Sequence, residues 1–251
     1  MKTLLRPLRF LLLALLPLLA HASSNDEKVM QEFNTTLRDL RQKIFATDNL
    51  EERMGYQKQM MELFERTLTQ LSDEVRPLMA VSLKIVLPLQ QQSADYLGLV
   101  SKFNQSGQGD PATLKAREEI PSRIAALEEL EKQNAALLER INGMNERVEK
   151  ALDEGKVSGA HRASFLAGYN GSTGRTIGPM KAIRTLDGLI FAQMKLIYRH
   201  LDEHWGKWQA DDTGFKWQDE AAQKKCDEML TELQSLIARE TKAEQQLSTR
   251  M

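Results

Sequence analysis

Apolar positions in this chain recur at steps of three and four over most of its length, and at steps of two only briefly. The clearest run passes through Leu127, Leu130, Asn134, Leu137, Ile141, Met144, Val148 and Ala151. Alternating steps of three and four suit a helix that buries a narrow stripe against another helix. The run predicts a long, coiled-coil-like helix over 120–152, kinked or restarted near Pro121 and stopped by Gly155. Asn134 stands where a leucine is expected. An amide in such a seam lowers stability but penalises misregistered partners, so Asn134 is read as a register device. Its counterpart lies in the same chain or in a second copy, and the second case implies a homodimer through the 120–152 helix.

Other stretches read in the same way. Ser24 and Asn25 followed by Asp26 and Glu27 suit a helix start, and Val29, Phe33, Leu37, Leu40 and Ile44 carry that helix to about Ala46. Asp48 with Glu51 predicts a second start, with a stripe of Leu50, Met54, Met61, Phe64, Leu68, Leu71 and Val75 ending before Pro77. Residues 78–89 are the most apolar segment after residue 22, and their brief alternation also suits a strand. Helix is preferred, because Pro77 fits a first helical position and no second strand is at hand. That helix is expected to bend at Pro88 and resume through Leu97, Val100 and Phe103. The turn-rich 104–109 segment then breaks it, and Asp110 with Pro111 marks another helix start.

Residues 155–179 hold six glycines and read as a long loop. Beyond it, Ile183, Leu186, Ile190, Met194, Ile197, Leu201, Trp205 and Trp208 define a fifth helix, and Asp211–Gly214 a polar turn. A last helix runs from about Trp217 and buries Ala221, Met229, Leu233, Leu236, Ile237 and Leu247. The expected fold class is all-α: an elongated antiparallel helical bundle of about six helices. It is one domain over 23–251, with sub-regions 23–154 and 180–251 joined by the 155–179 loop.

The N-terminus changes the compartment. Lys2, Arg6 and Arg9 precede an apolar run from Phe10 to Ala20, and Ala20-His21-Ala22 places small residues where a signal peptidase reads them. Residues 1–22 are therefore expected to be a cleaved signal peptide, and the protein periplasmic or secreted. The run is too short for a spanning helix, which needs about 20 apolar residues, and no transmembrane segment is expected in the mature chain. The formal charge of −1 becomes more acidic once those basic residues leave, which argues against nucleic acid as a partner. The single cysteine, Cys226, excludes an internal disulfide and reads as a buried residue of the last helix.

Candidate chemistry is sparse. His200 and His204 lie four apart on one helix side with Glu203 between them, a spacing that can grip one metal ion. The HxxEH pattern matches the short motif of inverted zinc peptidases, over five residues only, and Glu220, Glu228 and Glu232 are the downstream carboxylates that could complete a site. Packing histidines at a stripe border remain the simpler reading. Residues 171–176 (GSTGRT) have the small residues and cation of a phosphate cradle, without the lysine and hydroxyl pair or the preceding strand of a true one. The loop could instead be a recognition element, with His161, Arg162, Phe165, Tyr169 and Arg175 meeting a partner and Phe165 and Tyr169 forming an exposed aromatic pair. Trp205 and Trp208, with Trp217, either cap the core or line a ligand pocket. The ten methionines beyond residue 22 read mainly as core, Met54, Met61, Met144, Met194 and Met229 among them.

No catalytic arrangement can be defended from spacing, and no cofactor is expected. The leading expectation is an exported, non-enzymatic adaptor, inhibitor or immunity-type partner of another envelope protein, acting through helix faces. The alternatives are a periplasmic small-molecule sensor or carrier with a pocket between helices, a holdase chaperone, and a zinc-dependent hydrolase using residues 200–204.

Overall fold

A computed structural model describes residues 23–47, 49–211 and 214–248. The expected signal peptide, residue Asp48 and the tip of the 211–214 turn lie outside them. Among the described residues the regular elements are helices and one short hairpin, joined by turns: α1 (Ser24–Ala46), α2 (Leu50–Gln70), α3 (Arg76–Gln105), a 3-10 turn (Pro111–Thr113), α4 (Glu119–Asn142), α5 (Met144–Glu154), α6 (Gly159–Glu203), β1 (Trp208–Asp211), β2 (Gly214–Trp217) and α7 (Glu220–Ser248). No described helix is long and apolar enough to cross a membrane. The all-α reading holds.

The chain divides into two compact units. One gathers Asp95–Leu138 and Lys181–Thr249, the other Glu139–Met180 with the described residues up to Ala94. In the second unit, Ser23 and Asp26 form a reciprocal capping box at the start of α1. Asp26 also accepts the Ser72 backbone N–H at 2.8 Å, tying that start to the turn after α2. Phe33 and Phe64 meet edge to face, 4.9 Å between centroids. The buried face of α2 is Met60, Leu63, Phe64 and Thr67, while Met54 is 55% and Met61 37% exposed. Those two methionines were expected inside. The stripe is rotated because Thr67, whose hydroxyl donates to the Leu63 carbonyl, takes a core position that hydrophobicity alone does not mark.

Residues 76–105 form one helix despite Pro88, whose ring lies on the exposed side. Asp110 caps only the 3-10 turn, and the next long helix begins at Glu119, so the restart expected near Pro121 falls two residues before it. The 127–151 stripe is buried at every position, Asn134 included. Gly143 divides it between α4 and α5. Asn134 Nδ2 donates to the Arg184 carbonyl at 2.7 Å, so the register contact is made within one chain.

The largest correction concerns residues 159–179, expected as loop and found as the first half of the 45-residue α6. Phe165, Tyr169, Thr173, Thr176, Met180 and Ile183 supply a buried stripe that carries the helix through its glycines and Pro179. Tertiary burial outweighs weak helix propensity here.

The first unit holds a buried polar cluster. Arg184, Asp187, Tyr96 and Glu240 are all at most 4% exposed. The Tyr96 hydroxyl donates to Asp187 Oδ2 at 2.7 Å. Arg184 Nη2 lies 3.0 Å from the same oxygen, outside hydrogen-bonding alignment, and the guanidinium packs 4.8 Å from the Tyr96 ring centre. Arg123, also buried, donates to the Asp110 carbonyl at 3.1 Å and to Glu119 at 2.8 Å, and so pins the segment between α3 and α4.

Candidate functional site

The site sits where α6 ends. Gly206, at φ +82°, takes the left-handed conformation that stops a helix, and the chain turns into β1. In the hairpin Trp208 pairs with Trp217, and Ala210 with Phe215. Trp208 packs edge to face on Trp205 and Phe215, at 5.2 and 5.3 Å between centroids, and its indole N–H donates to the Leu201 carbonyl at 2.9 Å. Asp219 then caps α7 by accepting the Ala221 and Ala222 N–H groups, which hold its carboxyl below the usual range, with His204 and Lys207 adding to the effect.

Two histidines project into this frame, His200 from the last turn of α6 and His204 from the residue just after it. His200 Nε2 lies 2.9 Å from the Ala222 carbonyl, and His204 Nδ1 lies 3.0 Å from the His200 carbonyl. A carbonyl can only accept, so each of these nitrogens carries a proton. The nitrogens left open are Nδ1 of His200 and Nε2 of His204. The rings lie 4.5 Å apart, and both face Trp217, at 5.3 and 5.9 Å. The Trp217 indole N–H is buried and has no hydrogen-bond partner.

Among the described residues, His200, Glu203 and His204 form a group that can place one ligand atom each within 4.8 Å of the others. Glu220, Glu228 and Glu232 do not join it. They lie on the exposed side of α7 beside Gln223, Asp227 and Thr231. The inward face of α7 is taken by Ala222, Cys226, Met229 and Leu233, and the three glutamates fall on the opposite side of the turn. The acid expected from downstream is therefore not supplied by these residues.

The expected recognition loop is reorganised by its helical state. Phe165 and Tyr169 are buried, not an exposed pair, and the Tyr169 hydroxyl donates to Asn145 at 2.8 Å. Arg162 forks across Glu149 and Asp153. His161 is half-buried with its own partner, which leaves Arg175 as the exposed member of the set. Residues 171–176 lie inside α6, where backbone N–H groups are spent on the helix and cannot cradle a phosphate. Cys226 is fully buried, and burial, then Asp227, pushes its thiol up to about 12, so it is a packing residue at neutral pH. Sequence reasoning missed Trp217 as the platform under both imidazoles, although its place nine residues after Trp208 in a turn-split aromatic run was the available signal. Comparison of this chain with family models, with curated proteins and with solved structures finds no match.

Proposed function

We propose that this chain is an exported, non-enzymatic binding protein that acts on another envelope protein through a helix face. The observation that carries the reading is the outward stripe of α6. Ala182, Thr185, Leu189, Ala192 and Leu196 repeat the three-and-four spacing of a helix seam, and Leu189 and Leu196 stand 45% and 49% exposed. Covering a leucine side chain is worth roughly 1.5–3 kcal/mol, so two leucines seven residues apart on one helix can anchor a partner helix. The contact element differs from those expected in the sequence, because the 127–151 seam and the 159–180 segment use their apolar faces inside the chain. Within this reading α4 and α5 pack as a coiled-coil-like seam of an antiparallel bundle, and residues 1–22 direct export.

The test places a photo-crosslinking residue at Leu189 or Leu196, and at exposed Glu128 and Lys132 as controls, in cells exporting the protein. One stoichiometric adduct is expected from the leucine positions and none from the controls. The double variant L189E/L196E should lose that partner while melting unchanged. Adducts no stronger than at the control positions would end the proposal.

A further inference from the structure

We infer that His200, Glu203 and His204 form a binding site for a borderline transition-metal ion, with zinc, nickel and copper as the chemical class. The inference is independent of the partner-binding face on α6.

Three observations converge on it. The ligand-type atoms of the three residues can lie within 4.8 Å of one another, and a tetrahedral ion with bonds near 2.0 Å needs them about 3.4 Å apart. Glu203 is exposed, so its carboxylate can change rotamer without disturbing the core. Secondly, the two imidazoles are already oriented. Each donates one N–H to a backbone carbonyl, the outer-shell arrangement that fixes tautomer and ring direction in metal-ligating histidines. Thirdly, the group lies in the last turn of a long helix, where outward carbonyl dipoles favour a cation.

The donor set decides which ion. Two imidazole nitrogens and one carboxylate oxygen suit zinc, nickel or copper, whereas calcium and magnesium require oxygen-rich shells. Three protein ligands also leave coordination positions for solvent. Binding draws the end of α6 against the hairpin and α7, because His200 is tied to Ala222 and both rings pack on Trp217. An ion held there stabilises the folded chain by mass action, and protons compete with it for the imidazoles.

The test uses the full purified chain, stripped of metal with chelator and titrated with zinc chloride by calorimetry at neutral pH. One equivalent should bind at micromolar zinc and raise the melting temperature where magnesium does not. Nickel should quench tryptophan emission through Trp217. The exposed variant E203A should keep its helical circular dichroism and lose at least about tenfold in affinity. The variant H200Q/H204Q should bind no zinc. Should that variant fail to fold, E203A alone decides the matter. No saturable binding, or binding unchanged in E203A, overturns the inference.

Discussion

At the scale of single residues, the buried cluster around Asp187 holds an acid that burial keeps protonated. Burial first, then the Asp187 carboxylate, raises the Glu240 carboxyl to about 10, and the same burial holds the Tyr96 hydroxyl well above its ordinary range. Glu240 is therefore neutral at physiological pH. The folded chain keeps a proton that the unfolded chain releases above its ordinary value of 4.5, so this residue costs stability as pH rises from there towards the folded value. Glu240→Gln removes the titration and keeps a donor for Asp187. It should stabilise the protein by on the order of 2–3 kcal/mol at pH 7 and flatten the decline between about pH 5 and pH 9, both read from urea unfolding. A larger loss at pH 9 than in the parent would reverse the sign of the argument. The sequence pointed to none of the four side chains in this cluster, only to Asn134, which donates to the Arg184 backbone carbonyl. Asn134 announced itself as a polar break in an apolar stripe, but Arg184 and Asp187, three apart, look like an ordinary surface pair until their phase with Ile183 and Ile190 is noticed.

At the scale of elements, α6 is both the main failure of the sequence reading and the clearest place to test why. Gly171, Gly174 and Gly178 lie in its first half, and a Cβ built on any of them meets nothing within 4 Å. They serve no close approach, so the helix bears their backbone entropy without return. G171A/G174A/G178A should add roughly 0.5–1 kcal/mol per site, seen as a raised melting temperature. Gly206 is the contrast. Its φ of +82° is left-handed, and G206A should cost about 1–2 kcal/mol and loosen the turn under the histidines. Composition misled because six glycines resemble a loop, while the buried stripe that overrides them contains Thr173 and Thr176 and is faint on any hydrophobicity scale. The remaining long helices were legible in place because apolar residues recur along them at helical spacing, although in α2 Thr67 hid which face is buried. The hairpin was not, since four-residue strands offer too little alternation to separate from a turn. The histidine pair was readable from its spacing, whereas the Ala222 carbonyl that orients His200 is supplied by α7; the one that holds His204 belongs to His200 on α6 itself.

At the scale of the whole molecule, the proposed export and the fold meet at Ser23. The residue that cleavage after Ala22 would leave first is the N-cap of α1. Its hydroxyl donates to Asp26 at 2.7 Å and its backbone nitrogen lies 3.2 Å from the same carboxylate. Processing at that bond would turn the nitrogen into an ammonium beside Asp26, adding charge attraction to the capping box. Burial acts to raise the Asp26 carboxyl, but the hydrogen bonds from Ser72 and Ser23 outweigh it and hold the group below its ordinary 3.8. A lowered carboxyl contributes stability above the unfolded value and loses it as pH falls through the folded one. Asp26→Ala in the exported chain should therefore cost about 1–2 kcal/mol near neutral pH, with the difference from the parent shrinking as pH falls through the carboxyl's lowered value. N-terminal sequencing of the exported protein should begin at Ser23. A mature chain starting several residues later would lack the cap and the Ser72 tie together, and its α1 should then fray in hydrogen exchange. Export with Ser23 first and a D26A variant as stable as its parent would mean that the box contributes nothing, and that α1 is held by its Phe33 face alone.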